Sequence, residues 1–173
     1  MFDADYAQVM ARYNEWMNHR LYALCAGLPD GERKRDLGAF FGSIHGTLNH
    51  VLWGDRVWMG RFTGQDYGKG RIGLDLFDSF IDLTAARAAM DAEIVRWASG
   101  LTGEWLAQPI SWTSGIDGKT RTLPRWVTVM QLFNHETHHR GQVTTLVKQL
   151  GHDPGETDLP WLPGLGEMVG GTN

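Results

Sequence analysis

The sequence predicts an all-α fold: a four-helix bundle with a small β-hairpin between its third and fourth helices. Three observations predict it. Four long segments carry apolar residues at three- and four-residue steps, the period of a helix with one buried face. One segment, 109–123, breaks that period and centres on a glycine-containing turn. Glycine or proline ends the helical runs.

The first helix is expected from about Asp3 to Gly27. Tyr6, Val9, Tyr13, Met17, Leu21 and Leu24 form its stripe, and Gly27 and Pro29 stop it. The second is expected from about Arg35 to Phe62, with Leu37, Phe41, Ile44, Leu48, Leu52 and Trp58 on its apolar side. Gly64 and the glycine-rich stretch Tyr67–Gly73 then read as a loop. The third starts near Asp78, an N-cap residue type, and runs through Phe80, Leu83, Met90, Ile94 and Trp97 to Gly100. Ile110–Thr113 and Lys119–Thr122 flank Ser114–Gly118 as two short strands. A lone hairpin is marginal in water, so it must pack on the helices. The fourth helix starts near Leu123, tolerates Pro124 in its first turn and runs to Leu150 before Gly151. In the Gly/Pro-rich tail, Trp161 and Leu162 are the residues able to dock it.

The 173 residues suit one domain, 1–173, with enough chain to bury a core unaided. Eight Trp point to a bulky core. A net charge of −4 and the lack of a Lys/Arg-dense run argue against a nucleic-acid partner. No apolar run of about 18 residues exists to span a membrane. The acidic start, Met1–Arg12, has no apolar h-region, so no signal peptide is expected. The single cysteine, Cys25, cannot form an intrachain disulfide and reads as a small buried hydrophobe. These features together lead us to expect a cytoplasmic protein.

The chemistry lies in the seven histidines. His135 and His139 are four apart in the fourth helix, so both imidazoles can reach one spot. Leu132, Val143 and Leu146 turn that face inward. Two readings follow: interior histidines held by hydrogen bonds, or two ligands to one metal ion. A metal needs a third ligand, and His50 in the second helix is the best candidate. Gly46 and Gly54 bracket it, either to leave space or to let two helices pack closely. His45 is about 140° around the helix from His50, His138 is one residue off the 135/139 face, and His19 and His152 read as solvated.

His135-Glu136-Thr137-His138-His139 also satisfies H-E-x-x-H, in which the Glu of a zinc peptidase is the general base. Gln142 occupies the glycine place of the longer motif, and little chain remains downstream to supply a third ligand or a substrate-binding edge. The peptidase reading is therefore weak.

Tyr13-Asn14-Glu15-Trp16, Gly42–Trp58, Asn134–Gln142 and the tail residues Gly151–Pro154 and Thr157–Leu159 give the chain its resemblance to a known family. It resembles the DinB/YfiT-like family of four-helix-bundle metalloproteins over essentially its whole length. The resemblance implies metal binding by His50, His135 and His139, with Zn²⁺ or Ni²⁺ as the ion and often a homodimer. It also implies an enzyme acting on a small-molecule substrate with a low-molecular-weight thiol. Three imidazoles leave coordination positions open, as in catalytic sites. A metal-dependent hydrolase and a non-catalytic small-molecule or stress-response binding protein are the alternatives. Arg56 and Arg140 follow the two histidine motifs, either as holders of an anionic substrate group or as ordinary ion-pair partners.

Overall fold

The computed structural model describes residues 3–68, 71 and 73–170. Side-chain caps set where most of the helices begin. Asp3 accepts from the Tyr6 N–H at 3.0 Å and opens α1, Ala4–Ala26. Ser43 accepts from the Gly46 N–H at 3.0 Å and opens α3, Ile44–Thr63, after a short α2, Asp30–Lys34. Ser79, not the expected Asp78, caps α4, Phe80–Ser99, by accepting from the Asp82 N–H. Thr102 caps the short α5, Gly103–Ala107. Strands β1, Pro109–Thr113, and β2, Thr120–Pro124, pair antiparallel in the expected place. Pro124 ends β2 and is itself the N-cap of α6, Arg125–Gln149. A 3-10 turn, Leu159–Trp161, and the short α7, Leu165–Met168, follow in the tail.

The second long helix starts nine residues later than its apolar pattern suggests. Gly38 and Gly42 adopt φ of 76° and 71°, a left-handed region that breaks a helix. The Leu37 N–H donates to the Gly42 carbonyl at 2.8 Å and closes a tight loop. Phe41, read as part of the helical stripe, therefore sits on that loop. The glycine-rich loop over Tyr67–Gly73 lies partly outside the described residues, as does the end of the tail.

Helices α1 and α4 run antiparallel, as shown by Asn18 on Asp91 and Tyr22 stacked on Phe80. Helices α3 and α4 run parallel, since His45 lies near Phe80 and Phe62 stacks on Trp97 at 5.1 Å. Leu76 and Phe77 accordingly lie back beside Asn49 and His45 near the start of α3. Helix α6 packs antiparallel on α3. Leu48, Leu52, Leu83, Ile94, Leu132 and Val143 lie in the central core.

None of the eight Trp is among the fully buried core residues, contrary to the expectation of a bulky tryptophan core. Trp58, Trp97, Trp105 and Trp112 instead gather with Phe62 at one end of the bundle, where they seat the hairpin. Leu162 does dock the tail, buried against Tyr13 and Met17, whereas Trp161 is 63% exposed. The Tyr13 hydroxyl also donates to the Thr157 carbonyl.

Candidate metal centre

The i, i+4 spacing brings the His135 and His139 rings to 4.4 Å between centroids on the α3-facing side of α6. From α3, His50 places its Nε2 3.0 Å from the His135 Nε2. One ligand-capable atom from each of the three lies within 4.8 Å of the others. His50 and His139 are buried and His135 is half-buried.

Gly54 makes this convergence possible. A Cβ there would lie 2.5 Å from the His135 Cε1, so only glycine leaves the ring its place. Gly46 has a different task. A Cβ on it would meet the Phe41 carbonyl oxygen at 2.4 Å, so it admits the loop at the helix entrance.

Electrostatics keep the imidazoles neutral. Burial first, then the neighbouring His135 and His139, pushes His50 down to about 3. Burial and His139 push His135 down to about 4. Burial also lowers His139, against the pull of Gln142. The Nδ1 of His139 lies 2.8 Å from the Gln142 Oε1, so Nδ1–H donates and Nε2 keeps its lone pair. Neutral rings with free nitrogens converging on one point could hold a divalent metal ion, which needs deprotonated ligands.

Aromatic rings enclose one side of the site. Phe41 stacks on His50 at 3.7 Å and meets His139 edge-on at 5.6 Å. Trp53 stacks on the His50 ring at 5.5 Å.

The remaining histidines lie elsewhere. His45 is buried on the other side of α3, with its Nε2 2.8 Å from the Phe77 carbonyl. His138 is exposed and accepts from Gln142 at 3.2 Å. His19 is exposed in mid-helix rather than near a helix end, and His152 is exposed in the tail. Cys25 is fully buried, and burial raises its thiol to about 12, so it is no nucleophile.

Glu136 turns away from the histidines into a buried charge cluster. It accepts from Arg140 and lies 3.5 Å from Arg87. Arg87 also pairs with Asp55, and with Asp91 at 2.9 Å. Asn18 donates to Asp91 at 2.9 Å and to Glu136 at 3.3 Å. All four long helices contribute. Burial raises Glu136, but Arg87 and Arg140 outweigh it and hold the carboxyl at about 2. Burial and the adjacent Glu136 raise Asp55 well above the usual range. Glu136 is thus committed to ion pairs and cannot serve as a peptidase base. Arg140 belongs to this cluster too.

Sequence reasoning missed Phe41, the role of Gln142 and the cluster itself. For the cluster a signal existed: Arg87 and Asp55 fall on the apolar stripes Leu83–Met90–Ile94 and Leu48–Leu52–Met59, where a charge requires a buried partner.

The DinB family model matches residues 1–167. The chain belongs to the DinB family. It is 26% identical over 166 residues to Protein DinB of Bacillus subtilis (strain 168), covering 90% of this chain and 92% of that one. A crystal structure of a DinB-like protein from Bacillus cereus ATCC 10987 superposes with a TM-score of 0.63 at 19% identity, covering 82% of this chain and 91% of that one. That likeness supports the fold. As a DinB family chain it also shows no helix, among the described residues, long and apolar enough to cross a membrane.

Proposed function

We propose that this DinB family protein is a metal-dependent enzyme that transfers a low-molecular-weight thiol to a small electrophile. His50, His135 and His139 would hold the ion, and imidazole donors suit zinc or nickel. The observation that carries the reading is what borders the three rings: aromatic side chains, with the nearest acid tied up in ion pairs. The reacting group must then arrive with the substrate. A thiol suits such a site better than a group needing a protein base, because its free pKa of roughly 8.5 is already close to neutral. A bound divalent ion supplies Lewis acidity, which favours the thiolate over the thiol. Gln142 orients His139, Gly54 leaves room for His135, and Phe41 and Trp53 shield the His50 ring from water. A homodimer belongs to the same proposal and is read out by light scattering of the metal-loaded chain.

The test is thiol consumption by protein loaded with zinc or nickel, against a panel of thiols with epoxide and alkyl halide electrophiles. Consumption should require metal, survive Cys25→Ser and vanish in His135→Ala. If no pair is consumed under either metal, the protein is a binding protein rather than a transferase. If an ester is hydrolysed instead, the hydrolase alternative takes over.

A further inference from the structure

One indole away from the His50 ring lies a second, differently charged cleft. It holds about 250 Å³ between the outer side of α3 and the chain at 65–68 and Leu76. Trp53, which stacks on His50 with its inner face, forms one wall. Arg56 and Arg61, five residues apart on α3, both reach the cleft lining through their long side chains. Gly60 lies between them. A Cβ there would meet the Gln65 carbonyl oxygen at 3.1 Å, so glycine lets the loop close on the helix and shape the cleft.

The two guanidiniums have no carboxylate within ion-pair distance among the described residues, unlike Arg87 and Arg140. Arg56 is half-buried with its Cζ 5.2 Å from the Phe77 ring, and Arg61 lies over Trp58 at 4.4 Å. Asp66, the acid of the lining, accepts from the Gly68 N–H at 2.8 Å and pairs with neither. The Tyr67 hydroxyl is committed to Glu93. The Arg56 Nε–H and the Trp53 Nε1–H are shielded from water behind the cleft wall and make no hydrogen bond. Burial lowers both arginine pKa values, and Arg87 adds to the effect at Arg56. Two guanidiniums without a carboxylate partner, lining one cleft, are the complement of an anion.

We infer that this cleft is a binding site for a small anion, a carboxylate or phosphate group held by the guanidiniums of Arg56 and Arg61 beside the Trp53 indole. Guanidinium forks match both groups geometrically, which is why the two sources share one site. The inference rests on the arginines and stands whether or not the histidine centre acts on thiols. If it does, an anion held here lies beside the same indole that backs His50, so the small molecule handled there would carry that anion.

Titrating the full-length protein with inorganic phosphate, and separately with succinate, tests the site. The readouts are calorimetry and the indole N–H resonance that disappears in Trp53→Phe. Saturable one-to-one binding is expected, with movement of that resonance. Arg56→Gln and Arg61→Gln should each weaken it on the order of tenfold, the loss of one charge-assisted contact. Tighter binding of phosphate assigns a phosphoryl ligand, and tighter binding of succinate a carboxylate; either supports the site. A response no larger than that of sodium chloride at equal ionic strength overturns it, and so does affinity unchanged in both arginine variants. Arg61 lies farther from the buried cluster, so its variant decides if Arg56→Gln unfolds. Repeating the titration on His135→Ala separates the two readings: binding there must persist even if the metal centre proves inactive.

Discussion

Helix α6 carries two i, i+4 pairs offset by one residue, His135 with His139 and Glu136 with Arg140, and they end in opposite kinds of site. The histidine pair meets a third imidazole from α3. Like meets like, every ring is kept neutral, and the ring nitrogens retain unused lone pairs. The Glu136–Arg140 pair meets Asp55, Arg87, Asp91 and Asn18. There opposite charges meet, and three carboxylates facing two guanidiniums come to near neutrality if Asp55 holds its proton. The same helical spacing thus builds an open site on one face and a closed one about 100° around. The difference is whether the partners complete each other's valence or leave it for a guest. The closed site fixes how the four helices stand, and so presents the open one.

The sharpest break of this contrast is Arg87→Met. Arg87 is 2% exposed and stands among three acids, so its loss leaves Asp55 and Asp91 buried without a cation. Removing one partner of a buried network costs roughly 3–5 kcal/mol. Urea unfolding should show that loss in the metal-free protein. His50→Ala should cost clearly less, because it removes no charge partner. Equal losses would erase the distinction between a structural and an open site.

The next effect is confined to the other region. A metal that binds only the folded state should raise apparent stability by roughly 2.7 kcal/mol at a hundredfold excess over its dissociation constant. His139→Ala should remove that gain and the stoichiometric metal measured by elemental analysis. Metal retained at one per chain would remove His139 from the ligand set.

Much of this contrast was legible in the sequence. The four helices, the hairpin and the trio of His50, His135 and His139 follow from period and spacing, because burial of one face dominates both. The start of α3 was not, because Leu37 and Phe41 keep the helical period by coincidence while two left-handed glycines break the backbone. Phe41 lands on His50 through that loop, and periodicity carries no information about a loop's path. The charge cluster hid for another reason. Charged residues are usually solvated, and only their place on the apolar stripes of α3 and α4 marked Asp55 and Arg87 as buried. The tryptophans misled in the reverse direction, since they seat a hairpin rather than fill the centre.

The two regions should also oppose each other in pH. In the metal-free protein His50 and His135 titrate near 3 and 4 when folded, against 6.5 for an unperturbed ring. Their share of stability is complete above pH 6.5 and is lost as pH falls toward 4. Asp91 runs the other way. Burial raises it to about 6 against the opposing pull of Arg87, from an ordinary 3.8. Its favourable share is complete below 3.8 and is lost as pH rises through 6. Unfolding midpoints followed across this range should show a shallower acid-side fall in His50→Ala, the remainder coming from His135. In Asp91→Asn they should lose the decline on the way up to pH 6. Identical profiles in the two variants would mean that neither region sets the pH dependence.

The smallest expected change in stability is also the most selective. Gly54→Ala places a methyl where the His135 Cε1 now stands 2.5 Å away, and the His135 ring must swing aside. The fold should tolerate it. Alanine in a helix interior is favoured over glycine by roughly 1 kcal/mol, which offsets the crowding. The charge cluster lies about 100° around α6 from that contact and should be untouched. Metal affinity should nevertheless drop by at least about tenfold, or roughly 1.4 kcal/mol, because one of the three nitrogens leaves the common point. Cobalt binding followed by its visible absorption, beside the urea midpoint of the same variant, measures both quantities. A variant with weakened metal and near-normal stability separates the open site from the closed one with one methyl group. Undiminished affinity would mean that His135 reaches the ion from another rotamer, and that the glycine serves only close helix packing.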